Sequence, residues 1–209
     1  MSETHNTSPY KGSGQLTREP FLFYEMRITA KLMSEGLEES EVVKRIVDDN
    51  LFQYPTEKSL ASMSKACIAR LHALNDNNLI QAVATRSMDT AKQICLYAMM
   101  KRYRLVWDFM LTVIGEKYRL QEFSFGKKDI NVFFMQIQEQ DDCVSSWSDS
   151  TMKKIRQVLI KVLVENGYLD HIKSEHLNPV LLNPTLEDAI RNNKDDGVFP
   201  AFNYFLQGE

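Results

Sequence analysis

The stretch SWSDSTMKKIRQVLIKVL, residues 146–163, combines an apolar stripe with a cationic face. Its apolar residues recur at steps of three and four, so they share one side of an α-helix. They are Met152, Ile155, Leu159, Val162 and Leu163. The opposite side carries Ser150, Lys153, Lys154, Gln157 and Lys161, and Arg156 flanks it. The pattern predicts an amphipathic helix that packs through its apolar stripe and exposes its lysines.

A second region, SEVVKRIVDDNLFQYPTEKSLASMSKACIARL at residues 40–71, repeats this layout. Both regions combine a short amphipathic helix, a polar turn, an aromatic residue and a long helix opened by hydroxyl or acidic residues. The aromatic residue is Tyr54 in the first region and Trp147 in the second, and we expect each to pack within its turn. This order of elements is typical of a helix-turn-helix, so the sequence predicts two such units.

Helical patterns continue along most of the chain and predict an all-α globular bundle. The expected helices cover about residues 17–35, 38–50, 55–74, 76–85, 89–103, 105–120, 129–138 and 150–165. Residues 1–16 are polar and rich in Ser, Thr and Gly, which predicts a disordered tail.

The character of the sequence changes after Gly167. YLDHI (168–172) and PVLLNP (179–184) are short apolar runs separated by a polar loop, and prolines bound the second. They favour a small β-hairpin, which would be a wing on the second helix-turn-helix. We therefore expect an N-terminal helical region at 17–120 and a C-terminal helical region with the winged unit at 121–209.

Charge is distributed unevenly along the chain. The 209 residues carry a net charge of -3 with a pI near 5.9, which argues against a wholly basic nucleic-acid binder. However, residues 35–49 contain six acidic residues, whereas residues 150–164 contain none. The acidic residues are thus segregated from the cationic helix.

The expected location is the cytoplasm. Three cysteines that lie far apart, Cys67, Cys95 and Cys143, suit reduced core thiols. No apolar segment follows a basic start, so we expect no secretory signal. The most hydrophobic window, residues 94–114, is interrupted by Lys101, Arg102, Arg104 and Asp108, and we expect no membrane span.

The outward faces of the two long helices suit a nucleic acid. Lysine and arginine displace counterions from phosphates, hydroxyl groups bind phosphate oxygens, and glutamine reaches base edges. The residues assigned to phosphate contacts are Lys58, Lys65, Arg70, Lys153, Lys154, Arg156 and Lys161. Those assigned to approach base edges are Ser62, Ser150 and Gln157. A lysine-rich helix face is also a common solvated surface, which is the alternative for either helix taken alone.

Other clusters favour structural roles. Lys101, Arg102 and Arg104 lie near a predicted helix end, where the helix dipole favours cations for local reasons. HIKSEH (171–176) is one residue too long for the H-x-x-E-H zinc pattern, and GKKD (126–129) lacks the residues of a phosphate loop. No pattern of a catalytic, metal or cofactor site remains, so we expect a protein that is not an enzyme.

Five strings resemble the BrxA family, the small helical protein of bacteriophage exclusion (BREX) defence systems. They are TREPFLFYEMR (17–27), NLFQYPTEKS (50–59), SWSDSTMKKIRQVL (146–159), LNPVLLNP (177–184) and FPAFNYF (199–205). They occur in order within a likeness that covers about residues 16–206. The resemblance implies an all-α protein with two helix-turn-helix units and places their recognition helices at about 56–73 and 150–165.

The resemblance also implies a function. It points to a non-enzymatic, double-stranded DNA-binding component of an antiphage system, with a methyltransferase, an ATPase and a phosphatase-like protein as system partners. We expect the chain to be monomeric alone and to need no cofactor. Two alternatives stay open. One is an adaptor that docks other components of the system, and the other is an RNA-binding module, because the family has been likened to helical antitermination factors.

Overall fold

Helices make up most of the computed structural model, which describes residues 8–205 of the chain. The α-helices within that range are α1 (Phe23–Ser34), α2 (Glu39–Asp48), α3 (Glu57–Ala73), α4 (Asn77–Thr85), α5 (Met88–Arg102), α6 (Arg104–Phe109), α7 (Glu116–Arg119), α8 (Lys127–Gln140), α9 (Asp142–Ser145), α10 (Asp149–Glu165) and α11 (Pro184–Asn192). Two 3-10 segments lie at Ser13–Thr17 and Asp196–Phe202, and a π-helical segment, Met110–Gly115, joins α6 to α7. The predicted all-α class is confirmed.

Side-chain caps fix where the two long helices begin. The Thr56 hydroxyl accepts a hydrogen bond from the Ser59 N–H at 3.2 Å and opens α3, and the Ser148 hydroxyl does the same for the Thr151 N–H and α10. Such caps satisfy backbone donors that have no partner inside the helix. Gly167, with φ of 77°, then ends α10 in the left-handed conformation that glycine adopts without strain.

One hydrophobic core extends through most of the described chain. It includes Leu16 near the beginning, Tyr97 on α5, Ile155 on α10 and Phe202 near the end. Helix α5 lies at its centre, because every residue from Ile94 to Met100 is at most 1% exposed. The predicted regions 17–120 and 121–209 both contribute residues to this core.

A smaller cluster lies under the first predicted helix-turn-helix. It consists of Val42 and Ile46 from α2, Phe52 from the following turn, and Leu60 and Ile68 from α3. Helix α2 thus buries one narrow stripe and leaves its acidic side in solvent, as its sequence pattern predicts.

The predicted disordered tail is wrong for residues 8–16, and residues 1–7 lie outside the described range. Leu16 is fully buried, the Tyr10 hydroxyl donates to the Asp108 carboxylate at 2.7 Å, and the Ser8 hydroxyl donates to Asp141 at 2.9 Å. The 3-10 segment packs against α10. A single buried leucine and two hydroxyl-to-carboxylate bonds hold this polar segment in place, and its composition does not reveal them.

The predicted β-hairpin after α10 is absent from the described residues. Only an isolated antiparallel bridge pairs Ser124 with His176 there, supported by the Leu177 N–H, which donates to the Phe123 carbonyl at 2.7 Å. PVLLNP instead leads into α11, which the sequence pattern did not predict. Asn183 caps that helix and Pro184 occupies its first turn, where a missing N–H costs nothing.

The π-helical segment is shaped by a close approach to the C-terminal 3-10 segment. A Cβ atom on Gly115 would lie 3.2 Å from Pro200 Cβ and 3.3 Å from the Ala201 nitrogen. Glycine fits this approach as it stands, whereas a Cβ here would make a tighter contact than most side chains make, and the neighbouring segment would have to shift by a few tenths of an ångström. Within residues 8–205, none of the helices combines the length and apolarity that a membrane span needs.

Candidate nucleic-acid interface

Helices α2 and α3 form the first predicted unit. They pack against each other through the smaller cluster, and residues 49–56 connect them. Tyr54 packs against Phe52, with ring centroids 5.8 Å apart, and its hydroxyl donates to the Glu25 carboxylate at 2.7 Å. Burial and that carboxylate raise the pKa of Tyr54 well above its usual range. The predicted packing role of Tyr54 is confirmed.

Three of the four residues assigned on α3 face solvent. Lys58, Ser62 and Lys65 are exposed. Neither lysine forms an ion pair within residues 8–205. Their charges are therefore available to an external anion.

Arg70 is the fourth residue assigned on α3, and it cannot contact a nucleic acid at the surface. Its side chain is 1% exposed and its guanidinium donates to the backbone carbonyls of Pro20 at 2.7 Å and Phe21 at 3.0 Å, and also to that of Glu19. It also stacks over the Tyr103 ring at 5.2 Å. The assignment of Arg70 to DNA is wrong, because the segment before α1 covers the flank of α3.

The second unit is formed by α8, α9 and α10. Asp141 caps the short α9, and residues 146–148 make a three-residue turn into α10. That length matches the tight turn of a helix-turn-helix better than the eight-residue connection of the first unit does. Trp147 is half-buried against the main core, so its predicted packing role is confirmed.

The assigned face of α10 is open to solvent. Its exposed members are Ser150, Lys153, Lys154, Gln157 and Lys161. None of the three lysines pairs with an acid in the part of the chain that the structure describes. Because α10 contains acids only at its ends, Asp149 and Glu165, its cationic face is uninterrupted. Of these two acids, Glu165 forms an ion pair with Lys92 of α5 at 3.3 Å.

Arg156 is held more tightly than its neighbours. Its guanidinium carbon lies 5.1 Å from the centroid of the Phe134 ring on α8, and the side chain is half-buried. Its Nε is buried without a hydrogen-bond partner among the described residues. The contact with an aromatic face restricts the guanidinium, and its two terminal nitrogens form no hydrogen bond within the described residues.

Two residues that the sequence pattern does not assign lie next to the assigned face of α10. Lys127 and Asn131 of α8 line a cavity of about 320 Å³ together with Lys153, Arg156 and Gln157 of α10. The GKKD motif lacks the residues of a phosphate loop, so its lysines carry no signal by themselves. Lys127 becomes informative once α8 is known to begin there and to line this cavity together with α10, whereas Lys128 does not line it.

The two units differ in their electrostatic surroundings. Beside α3, the α2 surface carries Glu39, which contacts His72 at 2.9 Å, and Asp49 follows its end. Beside α10, Asp129 of α8 is occupied by Lys117 at 2.9 Å. The α3 face therefore borders acids, whereas the α10 face borders one further lysine, Lys127.

Two of the three cations near the end of α5 form ion pairs within the described residues. Lys101 contacts the Asp195 carboxylate at 2.6 Å, and Arg104 contacts Asp108 at 2.8 Å. Lys101 thus joins α5 to the residue before the C-terminal 3-10 segment, whereas the Arg104 pair lies within α6.

Comparison with known proteins agrees with this architecture. The BrxA family profile matches residues 9–194. "BREX protein BrxA" of Bacillus cereus (strain H3081.97) is 35% identical over 181 residues, which cover 86% of this chain and 90% of the relative. The protein of the same name from Escherichia coli O9:H4 (strain HS) is 25% identical over 85% of this chain and 83% of its own length.

A solved structure shows the same fold. The crystal structure of an uncharacterized protein from Magnetospirillum magneticum superposes with a TM-score of 0.76 at 25% identity, covering 90% of this chain and 96% of that one. Because the family profile spans nearly all of the described residues, the chain belongs to the BrxA family.

Proposed function

We propose that this protein is a component of a BREX antiphage defence system that binds double-stranded DNA without catalysing a reaction. The relatives in Bacillus cereus and Escherichia coli are named as BREX proteins, which supports membership of such a system. The observation that carries DNA binding is the set of exposed, unpaired lysines on α10, within the described residues. It forms an uninterrupted cationic face on a helix that follows a three-residue turn.

Counterion release supplies the physical basis. Each lysine placed against a phosphate releases condensed cations, so affinity falls steeply with salt even for a protein whose net charge is -3. Ser150 and Gln157 lie on the same face and offer hydroxyl and amide groups for phosphate or base edges. Helix α10 carries more of this interaction than α3, because acids of α2 border the α3 face.

A second candidate function is docking of another protein at the first unit. Between α2 and α3 lies a groove of about 690 Å³ whose walls include Val43, Ile68 and Ala69. An apolar groove suits an apolar side chain of a partner better than a phosphate. The methyltransferase, ATPase and phosphatase-like proteins of the same system are the candidate partners. In this proposal the protein works in the cytoplasm and is monomeric when purified alone.

The test is a titration of labelled duplex DNA, single-stranded DNA and structured RNA over a salt series. We expect the duplex to bind best, with a steep salt dependence. Lys153→Glu combined with Lys154→Glu should weaken duplex binding and reduce the salt slope by about one unit for each phosphate that no longer meets a lysine.

The matched control reverses two exposed lysines elsewhere, Lys31→Glu with Lys194→Glu, which alters net charge equally. If the two double variants bind duplex alike, the α10 face is not the binding surface. Tighter binding of RNA than of duplex would favour the antitermination-factor alternative. Binding of neither, with capture of a purified system component, would favour the adaptor.

A further inference from the structure

The cavity between α8 and α10 is lined by three cationic side chains, two amide side chains and two isoleucines. Its polar lining residues are Lys127, Asn131, Lys153, Arg156 and Gln157, all of which present N–H donors. Ile130 and Ile160 complete its walls. No carboxylate lines it, although acidic residues outnumber basic ones in the chain, 28 to 25.

The acidic residue nearest to Lys127 in sequence binds other groups. Asp129 lies two residues from Lys127, but its carboxylate contacts the Lys117 ammonium at 2.9 Å and accepts the Gly126 N–H at 2.7 Å. Lys117 is buried, so this pair belongs to the interior and not to the cavity. Lys127 and Lys153 have no ion-pair partner within the described range 8–205.

Arg156 contributes a fixed donor group. Its guanidinium carbon lies 5.1 Å from the centroid of the Phe134 ring, and the buried Nε lacks a hydrogen-bond partner among residues 8–205. A preoriented guanidinium suits the bidentate binding of a phosphate, because little side-chain entropy is lost on binding. A concave wall with apolar sides also strengthens the field of the three cations inside it.

A second basic cavity differs from the one between α8 and α10 in how its cations are paired. Near the end of α5, Lys101, Arg102 and Arg104 line a space of about 310 Å³ with Trp107. There, however, Lys101 is neutralised by Asp195 and Arg104 by Asp108. Only Arg102 of that trio lacks an acid partner in the described residues. The cavity between α8 and α10 keeps all three of its cations unneutralised.

We propose that this cavity is a seat for one phosphate group, bound between Lys127 and Asn131 of α8 and Lys153, Arg156 and Gln157 of α10. The proposal rests on the proposed function for the source of that group, which is a backbone phosphate of duplex DNA lying along α10. It makes α8 part of the interface and fixes the register of α10 on the duplex, because phosphate contacts position a protein without reading sequence.

The decisive comparison is Lys127→Gln against Lys128→Gln. Both lysines are exposed in the first turn of α8, yet only Lys127 lines the cavity. We expect Lys127→Gln to weaken duplex binding roughly tenfold and to reduce the salt slope by about one unit, since it removes one charged hydrogen bond. Lys128→Gln should change the affinity by less than about threefold. Far-UV circular dichroism establishes that both variants are folded.

A neutral variant separates hydrogen bonding from general electrostatics. Asn131→Ala leaves the charge unchanged, and we expect it to weaken duplex binding measurably while the salt slope stays near the wild-type value. In a second arm, inorganic phosphate is titrated at constant ionic strength and followed by amide chemical shifts. The shifts should concentrate at Lys127, Asn131 and Gln157 in the wild type and disappear in Lys127→Gln.

Each outcome separates the two proposals. If duplex binds and the two lysine variants behave alike, the phosphate seat is wrong while DNA binding stands. If inorganic phosphate perturbs the cavity but duplex does not bind, the seat exists for a free phosphate, and DNA as its source is wrong together with the proposed function. If neither ligand binds, both proposals are wrong.

Discussion

Arg70 shows that a helical pattern does not reveal contacts with distant segments of the chain. On a helical wheel it lies at the flank of α3, at the edge of the apolar stripe beside Met63 and Leu74. The segment at Glu19–Phe21 crosses that flank and supplies three backbone carbonyls to the guanidinium. The segment comes from about 50 residues earlier in the chain, so no local pattern could indicate the interaction.

Replacing this arginine should destabilise the fold without affecting the charge of the surface. We expect Arg70→Met to lower the free energy of unfolding by about 3 kcal/mol or more, because buried carbonyls lose their donors and the stack on Tyr103 disappears. Urea unfolding measures the change. Lys65→Met, on the exposed face of the same helix, is the control and should change stability by less than about 0.5 kcal/mol. Equal effects would show that Arg70 is not a structural residue.

Buried thiols and phenols make the protein sensitive to alkali. Burial raises the pKa of the Cys67 thiol from 9.0 to about 12, against the opposing effect of the nearby Arg70. Burial also raises the pKa values of Cys95, Tyr97 and Tyr118. The stabilising contribution of Cys67 is therefore complete below pH 9 and is lost as the pH rises through about 12.

The alkaline loss can be measured at one residue. Between pH 9 and 11 we expect Cys67 to lower the free energy of unfolding by about 1.4 kcal/mol per pH unit, because the unfolded chain releases its thiol proton first. Urea unfolding of the wild type and of Cys67→Ala over that range gives the two slopes. The variant should lose stability less steeply with pH. Parallel slopes would contradict the assignment.

At the scale of elements, amphipathic periodicity located most helices but not their neighbours. The predicted helix at 150–165 is α10 within one residue, because Ser148 caps it and its apolar stripe is regular. Helix α11 was missed because prolines at its start suggested a hairpin, although Leu186, Ala189 and Ile190 have helical spacing and are buried. The sequence pattern does not indicate the cavity residues Lys127 and Asn131, because α8 and α10 come together only in the tertiary structure.

The packing of the π-helical segment against the C-terminal 3-10 segment can be tested by a substitution at Gly115. Alanine usually favours a helix over glycine, but Gly115→Ala places a Cβ 3.2 Å from Pro200 Cβ. We expect a loss of about 1–3 kcal/mol in urea unfolding and faster amide exchange at residues 196–204, because the 3-10 segment must move away. Gly197→Ala in that segment meets no atom within 4 Å and is the control. A Gly115→Ala protein as stable as the control would show that the two segments pack loosely.

At the scale of the whole molecule, the fold places different chemistry at its two predicted units. The main core joins residues from Leu16 to Phe202, whereas α2 packs against α1 and against the smaller cluster of Val42, Ile46, Phe52, Leu60 and Ile68. The acidic surface of α2 thus lies on the less deeply anchored part. The cationic α10 lies directly on the main core.

This difference predicts unequal local stability. We expect amides of α2 to exchange with solvent through local opening, while those from Ile94 to Met100 in α5 exchange only when the whole chain unfolds. Hydrogen exchange under increasing urea measures both, since global opening depends on urea and local opening hardly does. Leu16→Ala, which removes a fully buried side chain of the main core, should lower the opening free energy of α5 and α10 by about 2–5 kcal/mol. It should leave the local opening of α2 unchanged. If α2 and α5 were protected equally, or if Leu16→Ala affected both to the same extent, the two clusters would form one cooperative unit.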